Sequence, residues 1–117
     1  MNLPHREPLI FAKEILQQTD EKVQVKCSFP VLPSLAMFIE AAAQCAAAFH
    51  TDTEVKMGFL TMASEFKLLG KIREKEYFFE ISKESEVGKY KKFSAVALGK
   101  VSQLRVVSGN FTLYVEN

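Results

Sequence analysis

The sequence predicts an α+β fold in which a curved antiparallel sheet wraps around one long central helix, and two patterns carry that expectation. Apolar and polar residues alternate with a period of two over Lys22–Ser28, Glu76–Ser82 and Lys92–Gly99, and again near the end of a run from Gln103 to Val115, as half-buried strands require. Between the first of these segments and the others lies a single alanine-rich run, Val31 to Phe49, in which nearly every residue is apolar. One helix cannot fill both faces of such a sheet, so the arrangement that buries it most completely curves the sheet around it.

Each element follows from local chemistry. The opening LPHREPLIFAKEIL carries two prolines before a short apolar run and predicts a turn or brief helix leading into a strand, with Thr19-Asp20 as a hairpin turn. Val23, Val25, Cys27 and Phe29 then alternate with Lys22, Gln24, Lys26 and Ser28 until Pro30 ends the strand. Pro33 and Ser34 are residues favoured at a helix N-terminus, and the helix is expected to run to about Phe49 and close at His50-Thr51-Asp52. Beyond it, Met57 to Leu69 reads as a strand, Tyr77, Phe79 and Ile81 share one face of the next, and Gly88 marks a turn. Phe93, Ala95 and Ala97 share a face of the fourth, and Ser108-Gly109 suggests a bulge in the last, where Phe111, Leu113 and Val115 resume the alternation. This order of elements is that of the hotdog architecture. A cystatin-like sheet is the competitor, but its helix should carry a wide polar face, whereas this one keeps a narrow polar stripe.

Composition bounds the class. A chain of 117 residues with 48% hydrophobic and 25% charged residues is one globular domain, 1–117, and neither disordered nor of low complexity. Ten Phe and three Tyr against five Gly and four Pro agree with long strands and few loops. Fifteen Lys and Arg against fourteen Asp and Glu give a formal charge of +1, which argues against nucleic acid as the main partner. Cys27 and Cys45 lie in apolar surroundings without a CxxC spacing, and His5 and His50 are far apart, so no metal site and no cofactor is expected and a reducing cytoplasm is the expected compartment. The apolar run imitates a membrane span but holds Glu40 at its centre, and a carboxylate there costs about 2.5 to 3.5 kcal/mol on insertion scales without strong Leu or Ile runs to offset it.

The polar stripe is where chemistry is expected. Glu40 and Gln44 are four residues apart and therefore neighbours on one helix face, within apolar surface. A carboxylate enclosed in this way has its pKa raised and can serve as a general acid near neutrality. The alternative is that both residues touch solvent at a sheet edge or satisfy a buried backbone group.

Three motifs in order resemble those of the 3-hydroxyacyl-[acyl-carrier-protein] dehydratases. LPHREPLIF is similar to their LPHR-x-P opening, and SFP followed by VLPSLAMFIEAAAQCAA resembles their HFP segment and P-x-x-x-x-x-E-x-x-A-Q helix. GFLTMASEFKL resembles the G-F-L-x-x-x-R-x-F strand of the shorter aryl-polyene type members. The resemblance implies a hotdog homodimer whose active sites form where two subunits meet. A histidine there removes the α-proton of a 3-hydroxyacyl thioester, a helix carboxylate handles the departing hydroxyl, and N–H groups at the helix start polarise the thioester carbonyl. Glu40 and Gln44 fall on the family's carboxylate and glutamine, and Pro33, Ser34, Met37, Gly58 and Phe59 fall in its substrate-binding segments.

The histidine does not carry over, because Ser28 replaces it, and the glycine and arginine that usually follow the proline are missing. The Arg of the GFL strand has become Glu65, and the Asp that usually follows the LPHR segment corresponds to Lys13. His5 is the remaining motif histidine and a substitute base if its segment folds over the pocket, with Arg6 near a phosphopantetheine phosphate; the plainer reading has both pinning the segment to the sheet. Cys27 belongs to the apolar face and is expected to be an inert thiol. Lys83, Lys89, Lys91 and Lys92 beside Gly88 could dock an acidic carrier protein or form a solvated hairpin end, and Met37, Phe38, Met57, Phe59 and Met62 could line an acyl tunnel or simply pack the core.

The resulting expectation is a protein acting on acyl thioesters, bound to acyl carrier protein or coenzyme A, that dehydrates a 3-hydroxyacyl group in fatty-acid or polyene-type lipid synthesis. The alternatives are a non-catalytic acyl-binding subunit, paired with itself or with a different subunit, and a thioesterase in which Glu40 activates water.

Overall fold

A computed structural model of the chain describes residues 11–46 and 57–116, with side-chain surroundings for 11–46 and 65–114. The order is β1 (Ala12–Gln18), β2 (Lys22–Ser28), α1 (Leu35–Ala46), β3 (Met57–Leu68), β4 (Glu76–Val87), β5 (Tyr90–Gly99) and β6 (Arg105–Glu116). The strands form one sheet in the order β1-β2-β4-β5-β6-β3, with every neighbouring pair antiparallel. The expected opening turn and the helix closure at 50–52 lie outside the described residues.

Period-two alternation does what it should. Val23, Val25 and Cys27 of β2, Tyr77, Phe79 and Ile81 of β4, Phe93, Ala95 and Ala97 of β5, and Val107, Phe111 and Leu113 of β6 are buried on the face that receives the helix. Phe29, just past β2, joins Phe38, Tyr77 and Phe79 in an aromatic cluster, with Phe38 edge-on to Tyr77 at 5.0 Å between ring centroids. A second pair, Phe93 and Phe111, stacks at 5.2 Å. Each such ring removed from water is worth about 1.5 to 3 kcal/mol, so the many phenylalanines supply much of the driving force.

Hairpin turns set the registers. Thr19 N–H donates to the Lys22 carbonyl at 2.7 Å and the Thr19 hydroxyl accepts from Lys22 N–H at 3.0 Å, closing the β1–β2 turn. Gly88, at φ 59°, takes the first central position of the two-residue β4–β5 turn, a conformation that costs glycine little.

Two expectations need correction. The bulge sits on β3 rather than at Ser108-Gly109: Glu65 and Phe66 together face Gly109, and Glu65 takes φ 58°. Gly109 is nevertheless required there, because a Cβ on it would strike the Phe66 ring. The helix is also not buried on almost all sides. Phe38, Ala41, Ala42, Cys45 and Ala46 are sealed against the sheet, while Ala36 is exposed and Glu40, Ala43 and Gln44 are half-buried, since this sheet covers one side of α1 only. Among the described residues no helix is long and apolar enough to cross a membrane.

Candidate functional site on the outward face of the helix

The start of α1 is built by Ser34. Its hydroxyl accepts from Met37 N–H at 3.2 Å and its carbonyl accepts from Phe38 N–H at 3.1 Å, making it the N-cap, with Pro33 buried just before it. The remaining first-turn N–H groups carry the positive end of the helix dipole, and no acidic side chain occupies that turn.

Glu40 lies one and a half turns further on. Helical spacing puts it with Ala36 and Ala43, roughly opposite the sealed residues Phe38, Ala42 and Cys45. It is half-buried within the single chain rather than enclosed. Gln44 points toward the first strand: its amide oxygen accepts from Phe11 N–H at 2.7 Å and Ala12 N–H at 3.2 Å. It therefore satisfies two backbone donors where β1 begins, the structural use that its position beside Glu40 left open.

An open cavity of about 300 Å³ lies between α1 and β1, lined by Ala12, Lys13, Glu14, Ile15, Val25, Gln44 and Cys45. Motif reasoning pointed elsewhere, to a methionine- and phenylalanine-lined tunnel. Phe38 of that set is fully buried in the core, Met37 is half-buried with its sulfur 3.5 Å from Ser34 N, and the side chains of Gly58's strand neighbours Met57, Phe59 and Met62 lie outside the described ones. The β1–β2 register is irregular along this edge of the cavity, with shifts between Ala12 and Glu14 and between Ile15 and Gln17, and nothing in the alternation of that segment announces it.

Ser28 is not brought to Glu40. Cys27 faces the helix, its Sγ 3.3 Å from that of Cys45, so the next residue along the strand faces the other side. Ser28 pairs with Glu76 there, beside an ion cluster in which the Glu76 carboxylate is 3.3 Å from Lys26 Nζ and 3.7 Å from Lys100 Nζ. The Lys26 hydrogen bond, helped by the charges of Lys100 and Lys26, holds Glu76 below the ordinary carboxylate range. Burial pushes the Cys45 thiol well up, and the contact with Cys27 adds to it, as suits an unreactive sulfur. Glu65, at the place of the family's strand arginine, accepts from Asn110 Nδ2 at 2.8 Å on the exposed side of the sheet. His5 and Arg6 lie outside the described residues, and among the described residues no cluster of three or more metal-ligating side chains occurs.

A sheet of six antiparallel strands curved about one helix defines a hotdog-fold protein. No protein-family model and no curated protein sequence matches the chain. Solved structures do: the dehydratase heterocomplex ApeI:P from Xenorhabdus doucetiae superposes with a TM-score of 0.78 at 15% identity, covering 98% of this chain and 88% of that one. A hypothetical thioesterase with coenzyme A from Streptococcus pneumoniae gives 0.68 at 13% identity over 89% of this chain and 85% of that one. A thioesterase from Haemophilus influenzae gives 0.70 at 11% identity over 89% and 78%.

Proposed function

We propose that this chain binds an acyl thioester against α1 and acts as a dehydratase-like subunit that lacks its own proton-abstracting base. The single observation that carries the reading is the outward face of the helix, where Glu40 stands among small residues within two turns of an N-capped helix start, in a fold shared with a dehydratase complex and a coenzyme A-bound thioesterase. The first-turn N–H groups receive the thioester carbonyl, and Glu40 hydrogen-bonds the β-oxygen of the acyl chain. Serine without an adjacent base cannot remove a weakly acidic α-proton, and Ser28 faces away from this helix, so dehydration needs a base from another source. A different hotdog subunit is that source in this reading; His5 serving as a base within the chain is the rival, autonomous dehydration.

Dimerisation belongs to the same reading. β3 is an edge strand of twelve residues, and pairing two such edges would join two sheets and bring the half-covered helix faces toward one another. We place the protein in the cytoplasm, where the two free thiols would stay reduced.

Thioester hydrolysis is the second reading, favoured by the two thioesterase-like neighbours and by needing no histidine, with Glu40 activating water. One assay separates the readings. The protein is given a 3-hydroxyacyl and an enoyl thioester, with Glu40→Gln and His5→Ala variants, while hydration and free thiol are both followed. The expected result is acyl binding with neither reaction, weakened about tenfold in Glu40→Gln, the equivalent of about 1.4 kcal/mol for one hydrogen bond. Interconversion lost in both variants would replace this reading with autonomous dehydration, and thiol release dependent on Glu40 alone would replace it with hydrolysis. Absence of acyl binding would end all three.

A further inference from the structure

Cys27 and Cys45 are the only two cysteines of the chain, and the fold brings them together. Cys27 lies in β2, where it pairs with Ala12 of β1 on one side and Tyr77 of β4 on the other, so two ladders fix its position. Cys45 stands near the end of α1, between Gln44 and Ala46. Both side chains are buried, at 0% and 1% exposure, and their sulfurs are 3.3 Å apart, within hydrogen-bond reach of one another. Bonding distance is closer by only on the order of 1 Å. Ala41, Ala42 and Ala46 add no bulk that would hold the helix off the sheet, and the open cavity flanking Cys45 leaves room beside the helix end for that adjustment.

The contact sits beside the least secured part of the sheet. β1 is an edge strand joined to the sheet by β2 alone, and its register with β2 shifts twice. α1 supports this edge through two adjacent residues: Gln44 accepts from Phe11 N–H and Ala12 N–H, and Cys45 meets Cys27, the register partner of Ala12. One hydrogen-bonded tie and one thiol contact therefore grip neighbouring strands at the same level. The cysteines are 18 positions apart, and the stretch they enclose holds Pro30, Pro33, the N-cap Ser34 and Glu40. A covalent bond between them would close that stretch into a loop and remove much of the freedom it has in the unfolded chain.

We infer that Cys27 and Cys45 form a reversible redox staple, reduced at rest and oxidised to a disulfide when a disulfide oxidant such as oxidised glutathione prevails, which ties α1 to β2 and steadies the β1 edge. The step balances. One cysteine loses its proton to water, and its thiolate attacks a sulfur of glutathione disulfide, expelling a glutathione thiolate and leaving a mixed disulfide. The second cysteine, likewise deprotonated, attacks the protein sulfur of that mixed disulfide and expels the second glutathione thiolate. Two electrons pass from the protein thiols to glutathione disulfide, and the two glutathione thiolates take up the two protons. Burial pushes the Cys45 thiol well up, so the closed pair reacts slowly at neutral pH and exchange runs through chains that have opened. Reclosing then selects the intramolecular bond, because the fold holds the second sulfur against the first. The staple is independent of thioester binding, since Cys45 belongs to the side of α1 sealed by the sheet and not to the side that carries Glu40.

The test uses the wild-type chain, so the core need not tolerate a substitution. Protein is equilibrated with reduced and oxidised glutathione in urea low enough for the chain to open and reclose, and again in urea high enough to unfold it. Non-reducing electrophoresis and the loss of two hydrogens by mass spectrometry report the bond. The expected result is a monomeric Cys27–Cys45 disulfide, favoured about a hundredfold more under folding than under unfolding conditions and raising the melting temperature by about 10 °C. Hydrogen exchange at the Phe11 and Ala12 amides should slow on oxidation, and a Cys45→Ala variant taken through the same treatment should show no change in melting. No intramolecular disulfide, disulfide-linked dimers in its place, equal preference in folded and unfolded chains, a melting temperature unchanged or lowered by the bond, unaltered exchange at Phe11 and Ala12, or a melting shift that persists in Cys45→Ala would each overturn it.

Discussion

Along α1, Phe38, Ala41, Ala42, Cys45 and Ala46 are closed off by the sheet, while Ala36, Glu40, Ala43 and Gln44 lie half a turn around the same cylinder with only part of their surface covered. Alanine serves both sides. On the inner side it lets the helix axis approach the sheet closely enough for two cysteine sulfurs to touch at 3.3 Å; on the outer side small residues flank the half-buried Glu40. The difference teaches that high average hydrophobicity in a helix need not mean uniform burial within one chain, and that the polar residues mark the side the sheet does not seal.

The largest effect expected on this contrast comes from the inner side. Phe38→Ala should cost about 3 to 5 kcal/mol in denaturant unfolding, because the ring contacts Phe29, Tyr77 and Phe79 and the space it leaves cannot collapse. A loss below about 1 kcal/mol would mean that the aromatic cluster does not organise the core. Gln44→Ala should come next, at about 1 to 3 kcal/mol, since the Phe11 and Ala12 N–H groups lose their acceptor. Hydrogen exchange should then accelerate at those two amides while amides in β5 stay protected.

Glu40→Ala, on the outer side, removes a half-buried carboxylate with its contacts and should cost about 1 kcal/mol or less in stability, acting mainly on thioester binding. Thiol labelling sharpens the point without relying on function. Cys45 should resist alkylation at neutral pH until the protein unfolds, because burial disfavours its thiolate, whereas a Glu40→Cys substitution should label in the native state.

The smallest effect is in acid. Among the described residues no charged side chain is buried, so acid sensitivity should arise from surface carboxylates. Glu74 is held below its usual value of 4.5 chiefly by the Val101 N–H bond and Glu76 chiefly by the Lys26 hydrogen bond. A carboxylate depressed in the folded state contributes stability that is fully present above pH 4.5 and lost as pH falls through the lowered values. Thermal melts should therefore slip modestly below pH 4.5, and by less in Glu74→Gln; an identical acid slope in that variant would remove Glu74 from the account.

Much of this contrast was legible in the residues. The alternation in β2, β4, β5 and β6 identified the inward side of each strand, because period two ties burial directly to position. Ser34 was legible as a cap for an equally local reason. The outward side of α1 was harder, since alanine carries little information about which way it faces, and the long apolar run suggested more complete enclosure. The β3 bulge was placed on the wrong strand: Gly109 signalled an irregularity, but the extra residue is Glu65, whose left-handed backbone no pattern predicts. The Glu74 clamp under Val101 was invisible because its partners lie more than twenty residues away and are backbone groups. Gln44 was correctly singled out, yet spacing alone could not choose between a site residue and a backbone ligand.

The strand order carries a consequence for how the chain is made. β2 can pair with β4 as soon as β4 appears, and β5 and β6 each find their predecessor, but β3 touches only β6 within the sheet. On a ribosome adding roughly 5 to 20 residues per second, β3 emerges on the order of seconds before the residues that will hold it. For that interval the Met57–Leu68 segment has no native strand to pair with, and a chain stalled before Arg105 would keep it so. Synthesis that pauses between β5 and β6 should therefore be the step at which this protein is most prone to chaperone capture or aggregation.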